Sequence, residues 1–522
     1  MRRALSKNPS RLDVALLFST AFSLQGCAVG PDFEPVRAPA VSGYTAGPLR
    51  STSSVAGPGG GSQVFLAGRD LDGDWWRLLG SKQINAFVAE AVANHPDVAA
   101  AQYALRAARE QVLAETGLLF PSASISDTTT RERISQAQSG LTGPALEFTL
   151  YSPSLNVSYS PDIFGGTRRQ IESLQAQADY ESFQLEATYL TLTANVATAA
   201  INDASIKAQI DATVDIIKSE TDQLDRVQRQ FDLGAISRSD VLSQQSTLAQ
   251  TQATLPPLRK QRAQQRDQLL MYLGRLPSQD RGESVNLEQL HLPRNLPVSV
   301  PSLLVQQRPD IRSAEATVHQ SSATIGVAIA NMLPNFTLTA SGGSNALSFD
   351  KLFTGQTTVY SLAGSATQKI FDAGNLYHTK EADVATYQQD VEKYRSTVLS
   401  SFQNVADSLR AIQADADTLK AQSAAEKISF ESLNLSQDQY KTGSVTYPTV
   451  LNAQQTYQNS RISRIKAQAA RFSDTVALYQ SLGGGWWHRM DQTAQAAPRV
   501  DPGYLAGPRR EALDDSVLTV GK

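Results

Sequence analysis

The side chains that ordinarily do chemistry are few and scattered in this sequence. Its five histidines, His95, His291, His319, His378 and His488, include no pair at metal-ligand spacing. No Gly-x-Ser-x-Gly elbow, His-Glu-x-x-His helix or Lys-tipped phosphate loop occurs. Gly57-Pro58-Gly59-Gly60-Gly61 has neither a preceding strand pattern nor a following Lys-Ser/Thr pair, so it is no phosphate cradle. Asp97 and Asp310 resemble a pair of acids, yet each follows a proline in a matching motif, where an aspartate serves to cap a helix or turn. Cys27 is the single cysteine, which excludes an internal disulfide. These residues argue against an enzyme and call for no cofactor and no metal. The net charge of −3, with both signs interspersed, marks no nucleic-acid binder.

What the sequence does contain is length. Residues 375–442 lack both Gly and Pro and are closed by Gly443. Val384, Tyr387, Val391, Tyr394, Val398, Phe402, Val405, Leu409, Ile412, Ala416 and Leu419 recur in steps of three and four, the seam of a coiled coil. Residues 167–233 repeat the device through Leu185, Tyr189, Leu192, Val196, Ala199, Ile206, Ile210, Ile217, Leu224, Val227 and Phe231. At 1.5 Å per residue each stretch spans roughly 100 Å as one helix.

The chain is an internal repeat. Asn94-His95-Pro96-Asp97-Val98 returns as Gln307-Arg308-Pro309-Asp310-Ile311, Phe120-Pro121 as Leu333-Pro334, and Ile163-Phe164 as Ile370-Phe371. Leu233-Gly234 returns as Thr442-Gly443, and Leu273-Gly274 as Leu482-Gly483. Each half begins with an Ala-rich amphipathic helix, 84–119 or 303–332, ended by a proline. Two period-two strands follow, around Ala123 and Ile125 and around Phe148, Leu155, Val157 and Tyr159 in the first half. In the second half they run through Phe336, Leu338 and Ala340 and through Tyr360 and Leu362. Each long helix then turns at Gly234 or Gly443 and returns as 236–273 or 445–482, the first return expected to break at Pro256-Pro257.

Small polar residues on one strand face and apolar or aromatic ones on the other suit a barrel with a lumen on one side and lipid on the other. Four strands close no barrel, and an open edge in lipid strands amides at several kcal/mol each, so several chains must share one. A coiled-coil strut tethering envelope layers is the competing class, but a strut has no use for strand hairpins.

Residues 1–26 carry Arg2, Arg3, Lys7 and Arg11, then an apolar run, and read as an export signal. Leu24-Gln25-Gly26-Cys27 resembles the lipobox of bacterial lipoproteins, which implies acylation of Cys27 as the mature amino terminus. Ala28, in place of an aspartate, is compatible with sorting to the outer membrane. Residues 27–69 then read as an extended arm and linker, 70–290 and 291–485 as the two repeats, and 486–522 as a disordered tail.

The motifs together resemble the TolC-like outer-membrane efflux proteins, in their lipoprotein branch, the NodT group. The resemblance rests on Cys27-Ala28-Val29-Gly30-Pro31-Asp32-Phe33, Trp75-Trp76, Asn94-His95-Pro96-Asp97, Asp162-Ile163-Phe164-Gly165, Arg308-Pro309-Asp310-Ile311, Ala314-Glu315, Ile325-Gly326-Val327-Ala328 and Ile370-Phe371-Asp372-Ala373-Gly374. Lys369 and Ala373 depart from the usual proline and glycine. It implies a mainly α fold with a membrane β-barrel: a homotrimer whose twelve-stranded barrel lies among outer-membrane lipid and continues as an α-helical tunnel into the periplasm. The implied partners are a periplasmic adaptor (membrane fusion) protein and an inner-membrane transporter of the resistance-nodulation-division type. The function implied is passive efflux of drugs or other small molecules, with a type I protein-secretion channel as the alternative.

By the same analogy the adaptor-docking tips are Leu233-Gly234-Ala235-Ile236-Ser237 and Thr442-Gly443-Ser444-Val445-Thr446. Relatives close their tunnels there with an arginine and acidic rings, but the matching positions here, Val445, Thr449 and Asn452, are uncharged. Asp240 and Tyr440 remain as a candidate hydrogen-bonded gate, with apolar packing of Val445, Tyr447 and Pro448 as the alternative.

Overall fold

The computed structural model describes residues 28–489 apart from Ser42, 48–50 and Leu141. The export signal, Cys27 and the chain beyond Arg489 lie outside the described residues.

Each half opens with two helices where the sequence predicts one. In the first half α1 (Lys82–Asn94) stops before α2 (Pro96–Thr116). In the second α5 (Pro301–Gln307) stops before α6 (Pro309–Ala330). Pro96 and Pro309 are the cause, because a proline disfavours helical geometry in the residue before it yet suits the first helical position. His95 occupies the joint and accepts the Asp97 N–H on Nδ1 at 3.2 Å. At the equivalent joint Arg308 grips Asp310 through two bonds of 3.0 and 2.7 Å. Both aspartates thus sit in the first turn of a helix, where a negative charge opposes the exposed N–H groups.

The long helices are unbroken: α3 (Gly166–Asp232) and α7 (Asn375–Lys441) each run 67 residues. Their returning partners are α4 (Arg238–Tyr272) and α8 (Tyr447–Ser481). α4 passes through Pro256 and Pro257 without the break expected from sequence. The prolines fall in an exposed stretch between two anchored ones: Val241, Gln244, Leu248 and Thr251 are buried before them, and Leu269 and Leu270 after. Beyond the prolines Arg262 also donates to Asp203 of α3 at 3.2 Å. Packing on both sides holds the line of the helix, and the carbonyls that lose their N–H partners belong to Gln252 and Ala253, both exposed.

Four strands form one antiparallel sheet in the order β2 (Ser122–Ile134), β3 (Leu146–Tyr159), β5 (Asn335–Ser344), β6 (Thr358–Thr367). The two halves join at β3 and β5, where Val157 faces Ala340 and Tyr159 faces Leu338. Among the described residues the outer edges of β2 and β6 have no partner in the chain.

A second, two-stranded sheet was not legible in the sequence. β1 (Val64–Ala67) pairs in parallel with β4 (Asn295–Val298), joining the amino-terminal arm to the segment between the repeats. The arm itself is partly packed, against the expectation of a plain linker. The Arg471 guanidinium on α8, fully buried, donates to the carbonyls of Gly59 and Gly61 at 2.8 and 2.7 Å and to the Thr52 hydroxyl at 2.9 Å. Glycine is required here: a Cβ on Gly60 would lie 2.1 Å from the Val55 carbonyl oxygen. The main core lies beneath this arm, where Trp75, Phe87, Leu409, Ile412, Phe472 and Tyr479 are buried together. The described residues continue past Trp486, whose Nε1 donates to the Gln307 carbonyl at 2.7 Å.

Candidate channel tip and hairpin interface

Both tips are built alike, and glycine explains why. Helix α3 ends with the Gly234 N–H on Phe231 O at 2.8 Å and the Ala235 N–H on Gln230 O at 2.9 Å. Helix α7 ends with Gly443 on Tyr440 O at 3.0 Å and Ser444 on Gln439 O at 2.9 Å. This paired closure puts one residue in the left-handed region, and Gly234 and Gly443 hold φ of 73° and 72°. Among the described residues, nothing beyond the adjoining two lies within 4 Å of a Cβ placed on either glycine, so the surface there is open.

The restarting helices differ. Ser237 and Asp240 form a reciprocal cap on α4: Ser237 Oγ accepts the Asp240 N–H, and Asp240 Oδ2 accepts the Ser237 N–H at 3.2 Å and hydroxyl at 2.8 Å. Thr446 caps α8 without a side-chain bond to its backbone, and Pro448 sits in the first turn. The Asp240 carboxylate is therefore bonded to its own helix rather than to the Tyr440 hydroxyl. It still bears on Tyr440, because burial and the nearby Asp240 charge together raise that hydroxyl's pKa.

Behind the tips the two helical hairpins meet. Val227, Val241 and Tyr447 are buried as one cluster, flanked by Leu224, Phe231, Ile236, Tyr440 and Leu451. The Tyr440 and Tyr447 rings lie 5.1 Å apart. The structure thus gathers Asp240, Tyr440 and Tyr447, leaves Val445 half-buried, and exposes Pro448, Thr449 and Asn452. Leu233 is 84% exposed at the outermost point.

A polar layer above this cluster was missed by sequence reasoning. Glu220 of α3, Gln244 and Thr251 of α4 and Gln454 of α8 are all buried. The Tyr447 hydroxyl donates to Gln244 Oε1 at 2.6 Å, and Gln244 Nε2 donates to the Glu220 carbonyl at 3.0 Å. Thr251 Oγ1 donates to Glu220 Oε1 at 3.0 Å. A signal for it exists in the sequence: Ile217, Glu220, Leu224, Val227 and Phe231 keep the three-four spacing, which puts Glu220 on the seam itself.

At the opposite end, where the strands meet the long helices, the two halves are unequal. In the first, the Val29 N–H reaches the Phe164 carbonyl at 3.0 Å, and Gly165 leaves no room for a Cβ beside Ala28. Arg169 binds the same segment through Val29 O at 3.0 Å and Asp32 Oδ1 at 2.7 Å, and Phe33 stacks on His319 at 4.3 Å. In the second, Ile370 and Phe371 are 95% and 89% exposed.

A sheet with two open edges on long paired helices that end in glycine-capped tips defines a channel subunit of shared-barrel type. The family model for outer membrane efflux protein matches the chain twice, over residues 87–275 and 300–484. The chain belongs to that family, and it is an outer-membrane channel protein of efflux extending into the periplasm. It is 27% identical over 488 residues to the toluene efflux pump outer membrane protein TtgC of Pseudomonas putida, covering 92% of this chain and 98% of that one. It is 26% identical over 445 residues to the pyoverdine export outer membrane protein OpmQ of Pseudomonas putida, covering 84% and 94%. Its fold resembles the CmeC outer membrane channel of Campylobacter jejuni with a TM-score of 0.79 at 18% identity, covering 90% of this chain and 97% of that one.

Proposed function

We propose that three copies of this chain form one conduit for small molecules, fed by a periplasmic adaptor and an inner-membrane transporter of the resistance-nodulation-division type. The observation that carries this reading is the four-stranded sheet with both edges open. In lipid every unpaired amide costs several kcal/mol, and pairing β6 of one copy with β2 of the next removes the cost for all. The exposed Ile370 and Phe371 favour the same assembly, since at the matching junction of the first half residues 28–33 pack beside Phe164 and Ile163 is only 44% exposed, whereas Ile370 and Phe371 stand 95% and 89% exposed. The lipid anchor on Cys27 is supported by the position of Ala28 and Val29 at the foot of the strands. The docking role of 233–237 and 442–446 is supported by their exposure and by the open space at both glycines. Gating rests on Tyr440, Tyr447 and the apolar cluster with Val445 and Pro448 at its rim, with Asp240 acting on Tyr440 through its charge; Thr449 and Asn452 contribute no charged ring. Native mass spectrometry of detergent-extracted protein, with conductance in a planar bilayer, tests the reading. A trimer that conducts is expected; a monomer that does not conduct overturns it.

A further inference from the structure

Glu220 is fully buried in the seam where α3, α4 and α8 pack together. One carboxyl oxygen is satisfied, since Oε1 accepts from Thr251 at 3.0 Å. The other, Oε2, is buried and has no hydrogen-bond partner. The Gln454 side chain hydrogen-bonds the same carboxyl from α8, which favours its ionised form, and the Gln454 Oε1 is buried without a partner. A buried carboxyl oxygen without a donor is a costly arrangement, because it forfeits its hydration and gains nothing. A proton on Glu220 removes the buried charge, which the Thr251 and Gln454 hydrogen bonds offset only in part.

We propose that Glu220 is a proton-operated latch between the helical hairpins, keeping them packed when protonated and favouring their parting when ionised. Ionised, it is a buried charge with one oxygen unbonded, a state relieved only if the hairpins part and admit water. Parting α8 from α3 and α4 is movement at the base of the tips, so release favours the open tunnel and protonation the closed one. The inference rests on the conduit reading above.

No opposing charge holds the carboxylate in place. Apart from burial, only the Thr251 and Gln454 side chains bear on it. Of the titratable groups on the packed helices, Tyr447 gives its hydroxyl to Gln244, Arg461 of α8 is paired with Asp215 of α3 at 3.0 Å, and Arg464 of α8 is paired with Glu426 of α7. Burial accordingly pushes the Glu220 pKa from its ordinary 4.5 up to about 7. The sign follows. The latched state binds the proton more tightly than the parted, hydrated state, so closure is fully favoured below pH 4.5 and the advantage is lost as pH rises to about 7. Across that window the open-to-closed ratio increases by up to about tenfold per pH unit for each carboxyl that ionises.

Purified full-length protein in planar bilayers tests this, with open probability recorded against pH for wild type and Glu220→Gln. Glutamine keeps the size without the charge, so the variant should stay latched with a flat profile while wild type opens as pH rises. Infrared difference spectra between acid and neutral pH provide a second readout independent of conduction, in which wild type should lose one more protonated carboxyl near pH 7 than Glu220→Gln, which keeps only the Asp415 component. A wild-type channel that conducts with no pH dependence, or a variant that keeps the wild-type profile, overturns the latch and leaves the conduit intact. Identical infrared difference spectra for the two proteins also overturn it. Absence of any conductance at any pH overturns the conduit reading instead, and the infrared arm then still decides whether Glu220 holds the proton.

Discussion

Tyr447 and Gln244 belong to opposite halves of the repeat, yet the phenol of one donates to the amide oxygen of the other at 2.6 Å in a fully buried contact. Through Gln244 the bond continues to the Glu220 carbonyl, so a single polar thread crosses α8, α4 and α3 just behind the tips. Tyr447→Phe keeps the ring and its packing but leaves Gln244 Oε1 without a donor, at a cost of about 1–3 kcal/mol. Thermal unfolding should shift downward and single-channel conductance should rise; unchanged values for both would separate this bond from closure.

Arg471 provides the second test. Its guanidinium is fully buried and holds the glycine-rich arm at Gly59, Gly61 and Thr52. Arg471→Ala removes three bonds from a charged donor and opens a cavity, and on the order of 3 kcal/mol of stability should go with it. Limited proteolysis should then cut within residues 52–63, which the wild-type protein protects.

Asp415, half-buried beside Asp474, makes stability depend on pH. Burial and the neighbouring carboxyl raise its pKa from the ordinary 3.8 to about 7, and the Arg471 charge opposes this only in part. The folded chain therefore binds more protons than the unfolded one across that interval. The contribution is complete below pH 3.8 and is lost as pH rises through about 7, at no more than about 1.4 kcal/mol per pH unit. Asp415→Asn should flatten that part of the pH–stability curve, as followed by denaturant unfolding at fixed pH values.

The tips give the fourth. Gly234→Arg with Gly443→Arg forces two side chains into φ near 73° and 72°, costing about 1 kcal/mol each, and fills space that the chain leaves open. Yield of assembled protein should remain near wild type while efflux in cells falls to background. Drug accumulation at wild-type levels would remove these turns from the docking surface.

Anchoring is tested at Cys27. Cys27→Ser should abolish fatty-acid labelling and leave membrane insertion intact, because a barrel is a larger anchor than acyl chains. Labelling that survives the substitution would assign acylation elsewhere.

Much of this molecule follows from local pattern. The Gly- and Pro-free runs 167–233 and 375–442 become helices of 67 residues each, and an apolar step of three and four determines which face each one buries. Period-two stretches around Ile125, Leu155, Leu338 and Leu362 become strands, and the glycines at 234 and 443 become the turns, since only they accept the left-handed closure. Pro96 and Pro309 marked helix boundaries that the amphipathic pattern alone ran across, while Pro256 and Pro257 marked one that never forms. In both cases the outcome depends on what lies beside the helix: α4 is held straight by α3 on either side of its prolines. Periodicity also reports that a position is buried but not who shares it. Glu220 keeps the seam spacing as faithfully as Leu224 does, yet its partners Thr251, Gln244 and Gln454 come from helices that only the tertiary fold sets against it. The same holds for Arg471 and the glycines it clasps 410 and 412 residues away. Backbone preference is a property of neighbouring residues, whereas the partner of a buried polar group is a property of the packed chain, and that is where the sequence alone stopped.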